Sequence, residues 1–335
     1  MLFNRTNNGQ EELKALLGFL HASSSFANIK TDIMLAEEDM IELIGKPVYD
    51  LANNYYNQPD RDELPVIPLE EGGYSVGKLV EYIQLPIAYY ATGNYSAHTD
   101  VSHSGNGRKV IVDGENEKMA WEWMINRDDE ATLNKAHKTT DRLIAFLEEN
   151  ADDIEEWKES DAQKTARSLF INSAKIFDQI FPIDNSRRFF IKIIPFIKEV
   201  ERKHLLPVLG KTRFDDMKAA ILSGDFTDEE EMLQLIRVPL VYHTLSLASK
   251  RLSVRMLPNG IFQDYISESQ TAKARKVAPT DVRKEISNSL RADADLELEN
   301  LQKEITKLDA IAASEEYTPE SPISHIDSEK PILRL

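Results

Sequence analysis

The stretch Tyr82-Ile83-Gln84-Leu85-Pro86-Ile87-Ala88-Tyr89 returns as Leu235-Ile236-Arg237-Val238-Pro239-Leu240-Val241-Tyr242, at an offset of 153 residues (239 − 86). Both copies are apolar nearly all round, the pattern of a helix buried against several neighbours. Each carries a proline at the same place. A proline inside a helix frees the carbonyl four residues back, here those of Tyr82 and Leu235, so a kink or a break into two helices must absorb it.

The likeness extends to the residues ahead of this helix. The segment from Thr31 puts Ile33, Met40, Ile41, Leu43 and Ile44 on one broad face, stops at Gly45-Lys46, and continues into Tyr49-Asp50. The segment from Pro195 carries Phe196, Ile197, Val200, Leu205 and Leu209, stops at Gly210-Lys211, and continues into Phe214-Asp215, an offset of 165 (210 − 45). Gly45 and Gly210 are read as left-handed C′ residues that end a helix. The change of offset leaves 12 extra residues (165 − 153) in the first half, between Tyr55 and Gly77, where Pro, Gly, Asn and Asp mark a loop.

Behind the core helix the register holds, because Asn106-Gly107 falls on Asn259-Gly260. These are turn dipeptides next to β-favouring stretches, Lys109 to Val112 and Ile261-Phe262, so a small β-hairpin is expected in each unit. A long helix then closes each unit. Its apolar positions are Leu133, Ala136, Thr140, Leu143, Ile144 and Leu147 in the first, and Val282, Ile286, Leu290, Ala294, Leu298, Leu301, Ile305 and Leu308 in the second. The second set ends in a coiled-coil-like seam too short to stand alone, so it should dock on something.

The fold class expected is therefore mainly α: two tandem helical units with Pro-kinked buried core helices and a small β-hairpin in each. Residues 1–150 form the first unit, 151–311 the second, and 312–335 an extended C-terminal tail containing Pro319, Pro322 and Pro331. The acidic run Asp152 to Glu156 between the units reads as a solvated helix start.

Composition bounds the function. With 335 residues, 41% of them hydrophobic, the chain can bury two cores. No apolar run approaches the ~18–20 residues of a membrane span. The start, MLFNRTNNGQEELK, lacks the basic-then-apolar order of a secretory signal. The absence of cysteine excludes disulfides, thiolate metal sites and a cysteine nucleophile. A net charge of −17 repels phosphate backbones, which argues against sequence-specific DNA binding and suits a wall past which DNA slides.

No phosphate-binding loop, dinucleotide fingerprint, zinc-protease helix or nucleophile elbow is present. The one polar cluster resembling a metal site is His98, Asp100 and His103 beside Ser102, Ser104 and Gly105, and its Ser/Gly-rich setting favours a solvated loop. His21, His137, His204, His243 and His325 are dispersed. Trp121 and Trp123, with Met119 nearby, either fill a core or form an aromatic contact for a partner. Arg187-Arg188-Phe189-Phe190 reads as a helix start with packed aromatics, the alternative being nucleic-acid contact by charge and stacking. The expectation is a non-enzyme with no cofactor and no bound metal; a metal-dependent hydrolase is the remote alternative.

The sequence LAEEDMIELIGKPVYD (Leu35 to Asp50), then YIQLPIAYYA (Tyr82 to Ala91), then a polar turn and the closing LIAFLEEN (Leu143 to Asn150), resembles a protein family of Bacteroidetes phages and prophages. That family in turn resembles the head-completion, head-tail connector adaptors of tailed phages. The resemblance spans Phe3 to about Leu308 and implies no catalytic residues. It implies a virion structural protein at the neck or portal vertex, assembled in the host cytoplasm as a homo-oligomeric ring. Its partners would be the portal protein, tail components and DNA passing without sequence-specific binding, with no membrane. Met1 to Gly9 and Ala312 to Leu335 are the arms available to lock such a ring. A helical protein-binding adaptor or another virion structural or scaffold protein is the alternative.

Overall fold

The computed structural model describes residues 1–18, 25–59, 73–99, 102–104, 107–109, 121–224, 230–252, 254–257, 260–263 and 279–316. The fold is mainly α-helical. The first half runs α1 (Gly9–Leu17), α2 (Phe26–Ile44), α3 (Lys46–Tyr56), α4 (Val76–Thr99), the antiparallel pair β1 (Ser102–Ser104) and β2 (Gly107–Lys109), and α5 (Glu122–Glu149). Short helices α6 (Glu155–Lys158) and α7 (Asp161–Arg167) follow. The second half runs α8 (Ala174–Ile180), α9 (Arg187–Val200), a π-helical turn (Glu201–Leu205), α10 (Leu206–Leu209), α11 (Lys211–Ser223) and α12 (Glu230–Arg251). It ends with the antiparallel pair β3 (Val254–Leu257) and β4 (Gly260–Gln263), and α13 (Thr280–Glu316).

The expected hairpins reduce to these two short ladders. Their turn residues Asn106 and Asn259 lie outside the described residues, as do Val110 to Val112; Gly107 and Gly260 each open the second strand of a pair. Most of the expected tail, residues 317–335, also lies outside.

Two hydrophobic cores form, one drawing on residues from Leu2 to Trp157 and the other on residues from Leu169 to Ile305. The apolar-all-round helices sit at their centres. Pro86 and Ile87 are buried in α4, and Leu240 and Val241 in α12. Both helices continue through their prolines, so neither breaks into two.

Gly45 and Gly210 correct the expected cap geometry. Each has positive φ, but ψ is extended (φ 86, ψ 144 and φ 74, ψ 158), which is not the left-handed helical conformation. The reason is the connection: α3 starts at Lys46 and α11 at Lys211, so one residue both ends a helix and starts the next. This region of backbone space is essentially reserved for glycine. A Cβ at Gly210 would meet nothing within 4 Å, so the requirement comes from backbone conformation, not crowding.

Register along the opening helices carries a further irregularity. Phe26, Ile29, Ile33, Ala36 and Glu37 fall on Phe190, Ile193, Ile197, Val200 and Glu201 at an offset of 164 (201 − 37). Met40, Ile44 and Gly45 fall on Leu205, Leu209 and Gly210 at 165. The surplus residue lies in the π-helical turn, whose wider i→i+5 bonding takes in one more residue. Leu205 and Leu209 thereby stay buried, as Met40 and Ile44 are.

Two other expectations are corrected. Met1 to Gly9 is not a free arm, since Leu2 and Phe3 are buried in the first core. In the closing helices, Leu133, Val282, Ile286 and Leu308 are exposed. The face of α13 turned to α12 runs instead through Ser287, Ala294, Leu301 and Ile305. Ser287 is buried because its hydroxyl and that of Ser246 each donate to the other residue's carbonyl, at 2.9 and 2.8 Å. Small side chains here bring the two helices close. Gly93 occupies the matching position of α4 (246 − 93 = 153), where a Cβ would lie 3.6 Å from Thr132.

Gly45→Ala and Gly210→Ala are each expected to destabilise the protein by about 1–3 kcal/mol, the usual cost of forcing a side chain into this conformation. Urea unfolding should show a lower midpoint at unchanged slope.

Candidate functional site

No expected catalytic cluster emerges among the described residues. His98 is exposed at the end of α4, Asp100 lies outside the described residues, and no group of three or more metal-ligating side chains is present among those described. A cleft of 480 Å³ between α4 and α5 is lined by Tyr82, Leu85, Thr139, Arg142, Phe146 and Glu149, with Tyr82 stacked on Phe146. Among these lining residues there is no nucleophile paired with a base. No described helix is long and apolar enough to cross a membrane.

Among the described residues, one arrangement of buried polar groups recurs in both cores. In the first, the buried Glu37 accepts a hydrogen bond from the Leu2 backbone N–H at 2.6 Å and another from the Tyr49 hydroxyl at 2.9 Å. Gln84 closes the clasp by donating to the Leu2 carbonyl. In the second, the buried Glu201 accepts from the Phe170 N–H at 2.8 Å, and Arg237 donates to the Phe170 carbonyl at 3.0 Å. Lys218 there pairs with Glu201 at 2.7 Å and also donates to the Ser168 carbonyl. Gln84 and Arg237 are the matched positions of the two apolar helices.

Burial is the largest influence on Glu201, Lys218 and Tyr49. It raises Glu201 above the ordinary carboxylate value against the pull of Lys218, and it lowers Lys218. Tyr49 is raised by burial and by the adjacent Glu37. A buried acid of this kind is tolerated because backbone donors and side chains satisfy it.

The halves meet where α5 packs on the start of α9. Asp141 accepts from the Arg188 N–H at 2.8 Å and from the Ser186 hydroxyl at 3.2 Å, while Arg187 pairs with Glu148 at 2.7 Å. Ile191 packs against the first core. The double-arginine stretch is thus a helix start with packed aromatics, with Phe190 buried.

The π-helical turn places His204 where its ring stacks on that of His243, centroids 4.1 Å apart. Nε2 of His243 lies 3.4 Å from Asp295 of α13, and Arg291 stands beyond it, 3.7 Å from Asp295. Although that separation counts as an ion-pair distance, Nε2 makes no hydrogen bond, so the carboxylate is poorly aimed. Burial, then the neighbouring His204, lowers His243 to about 4. Dispersed in the sequence, these histidines gave no signal of their pairing; only the surplus residue in the second opening helix could have pointed to it.

Trp121 and Trp123 are exposed, at 70% and 47%, with Met124 beside them at the start of α5. They do not fill a core. Exposed apolar side chains also mark α2 (Met34, Leu35) and α13 (Leu296, Leu308, Ile311).

A family model described as a family of unknown function (DUF6712) matches residues 41–167 and 205–311. No curated protein and no solved structure matches the chain.

Phe170→Ala is expected to cost about 3–5 kcal/mol, as a large-to-small change in a core, and to expose the Glu201 clasp. Chemical denaturation monitored by circular dichroism reads it. For His243, the folded form holds the ring neutral while the unfolded chain takes up protons below pH 6.5, so stability present above that value falls as pH drops toward 4. Urea midpoints at pH 7.5 and 5 should converge for His243→Phe relative to the parent protein.

Proposed function

The chain belongs to this family, DUF6712, whose model covers well over half of it, and from that premise we propose that it is a non-enzymatic structural subunit built from two copies of one helical unit. In this reading it assembles as a head-tail connector, a ring beneath a phage portal that extends the DNA channel. The observation that carries the reading is the repeated clasp. Glu37, Leu2 and Gln84 are mirrored by Glu201, Phe170 and Arg237, bond for bond, inside helices of the same order.

Other features support it. The two matched stretches, 41–167 and 205–311, begin within one residue of corresponding points of the opening helices. Each unit carries one short antiparallel ladder between its core helix and its closing helix. The contact between α5 and α9 joins different surfaces of the two units, and a contact of that heterologous kind closes into a ring when repeated by rotation. A surface with net charge −17 suits a channel wall that DNA passes without sticking. The resemblance to connector adaptors points the same way.

A second reading, a helical adaptor that binds another protein, draws on the exposed Trp121 and Trp123, since exposed tryptophans are favoured as anchors at interfaces.

Negative-stain electron microscopy of the purified chain, alone and mixed with the portal protein of the same genome, separates the two. Rings, or an added layer beneath the portal, are expected for a connector. A monomer at high concentration that ignores the portal sinks the connector reading and leaves the adaptor.

A further inference from the structure

The joint between the two halves is a template for a contact that the chain cannot satisfy within itself. We infer that the outer face of α13 docks on the outer face of α2 from a second copy of this chain, repeating between subunits the contact that α5 makes with α9 within one. The inference deepens the ring reading and rests on it, since it names the surfaces through which the ring would close.

The match along the closing helices is set by their buried faces. Ala136, Leu143 and Leu147 fall on Ala294, Leu301 and Ile305 at an offset of 158 (294 − 136), and all six are buried. The same offset carries Asp141, the acid that holds the start of α9, onto Glu299. Glu299 is another acid. It is exposed on α13, with no hydrogen-bond or ion-pair partner among the described residues.

Leu296 lies one turn before it on the same surface and is 55% exposed. A helix that had finished its packing inside the chain would have little reason to present a leucine beside an acid at the place where its counterpart meets the next unit.

The complementary face lies on α2. Ile191, the apolar residue that α9 presents to the first core, falls on Ala27 at the offset of 164 (191 − 27), and the face continues through Thr31 to Met34. Ala27 and Thr31 are exposed, and Met34 is 47% exposed. Lys30 stands among them, also exposed and without an ion-pair partner among the described residues. It offers α13 a cation, as Arg187 offers one to Glu148 of α5; Ser23 and Ser24, the positions matching Arg187 and Arg188, carry no charge and lie outside the described residues. The α2 face thus joins apolar side chains to Lys30 and, further along, Glu38, and the α13 face joins Leu296 to Glu299 and, further along, Lys303, so each charge on one face has an opposite on the other. The two lie on opposite units of the same chain, so satisfying one from each neighbour gives a head-to-tail series.

The absence of cysteine makes the test clean. Ala27→Cys and Glu299→Cys are prepared separately, both at exposed positions, then mixed and treated with a short thiol-specific crosslinker. Covalent dimers are expected from the mixture and not from either variant alone. Lys175→Cys, exposed on α8, replaces Ala27→Cys in a control mixture that should not crosslink. In parallel, Glu299→Lys should weaken self-association at least tenfold in sedimentation velocity at low salt, and Glu299→Lys combined with Lys30→Glu should restore it.

If oligomers form but the mixture gives no more dimer than the control, and the charge reversal is without effect, the α13–α2 surface is wrong while the ring reading stands. A parent protein that remains monomeric at every concentration, with and without the portal protein, overturns both.

Discussion

A buried carboxylate has to be surrounded by donors, and in this protein that requirement is met twice by a stretch of backbone from outside the helix that bears the acid. Glu37 and Glu201 lie on the inner faces of the opening helices, where an unpaired charge would be costly. Each takes the N–H of a residue well upstream, Leu2 or Phe170, whose own carbonyl is held from the apolar core helix. The acid therefore fixes where the upstream segment runs and what it buries. The opening helix, the upstream segment and the core helix are bound at one point, and the glycine joint and the closing helix are arranged around them.

The two clasps differ in how they finish the acid. In the first, a tyrosine hydroxyl supplies the second donor; in the second, a lysine does, lying over the Phe170 ring at 4.2 Å. Removing either donor would leave a buried carboxylate short of a partner, a larger penalty than the worth of the bond itself. The backbone geometry is common to the two clasps, and the donor that completes the acid is exchangeable within it.

Much of this was legible in the sequence because it rests on local rules. The apolar runs around Pro86 and Pro239 announce buried helices, and Gly45 and Gly210 announce helix ends, even though their backbone conformation is more extreme than a left-handed cap. What was not legible depends on long-range pairing. Leu2 and Phe3 look like part of a free arm, and only the acid on α2 shows why they are buried. The seam of α13 was misplaced in its first turns because Ser287 reads as a solvent position until Ser246 is set against it. The tryptophans of α5 misled in the other direction, since residue type favours a core and only the fold exposes them.

One more residue in a regular helix would rotate everything beyond it by about 100°. Past the π-helical turn, Leu205, Leu209 and Gly210 keep the aim of their counterparts. The surplus is absorbed sideways, as a bulge, so a change of length is turned into a change of side-chain placement. That bulge is where His204 meets His243, and the position matching His243 in the first half is Tyr90 (243 − 90 = 153). The ring of Tyr90 lies 6.1 Å from that of His137, so the first half sets a tyrosine against a single histidine where the second stacks two imidazoles. A change of length that leaves the buried face in register has therefore altered what stands beside it, and the same place in the two halves offers different chemistry.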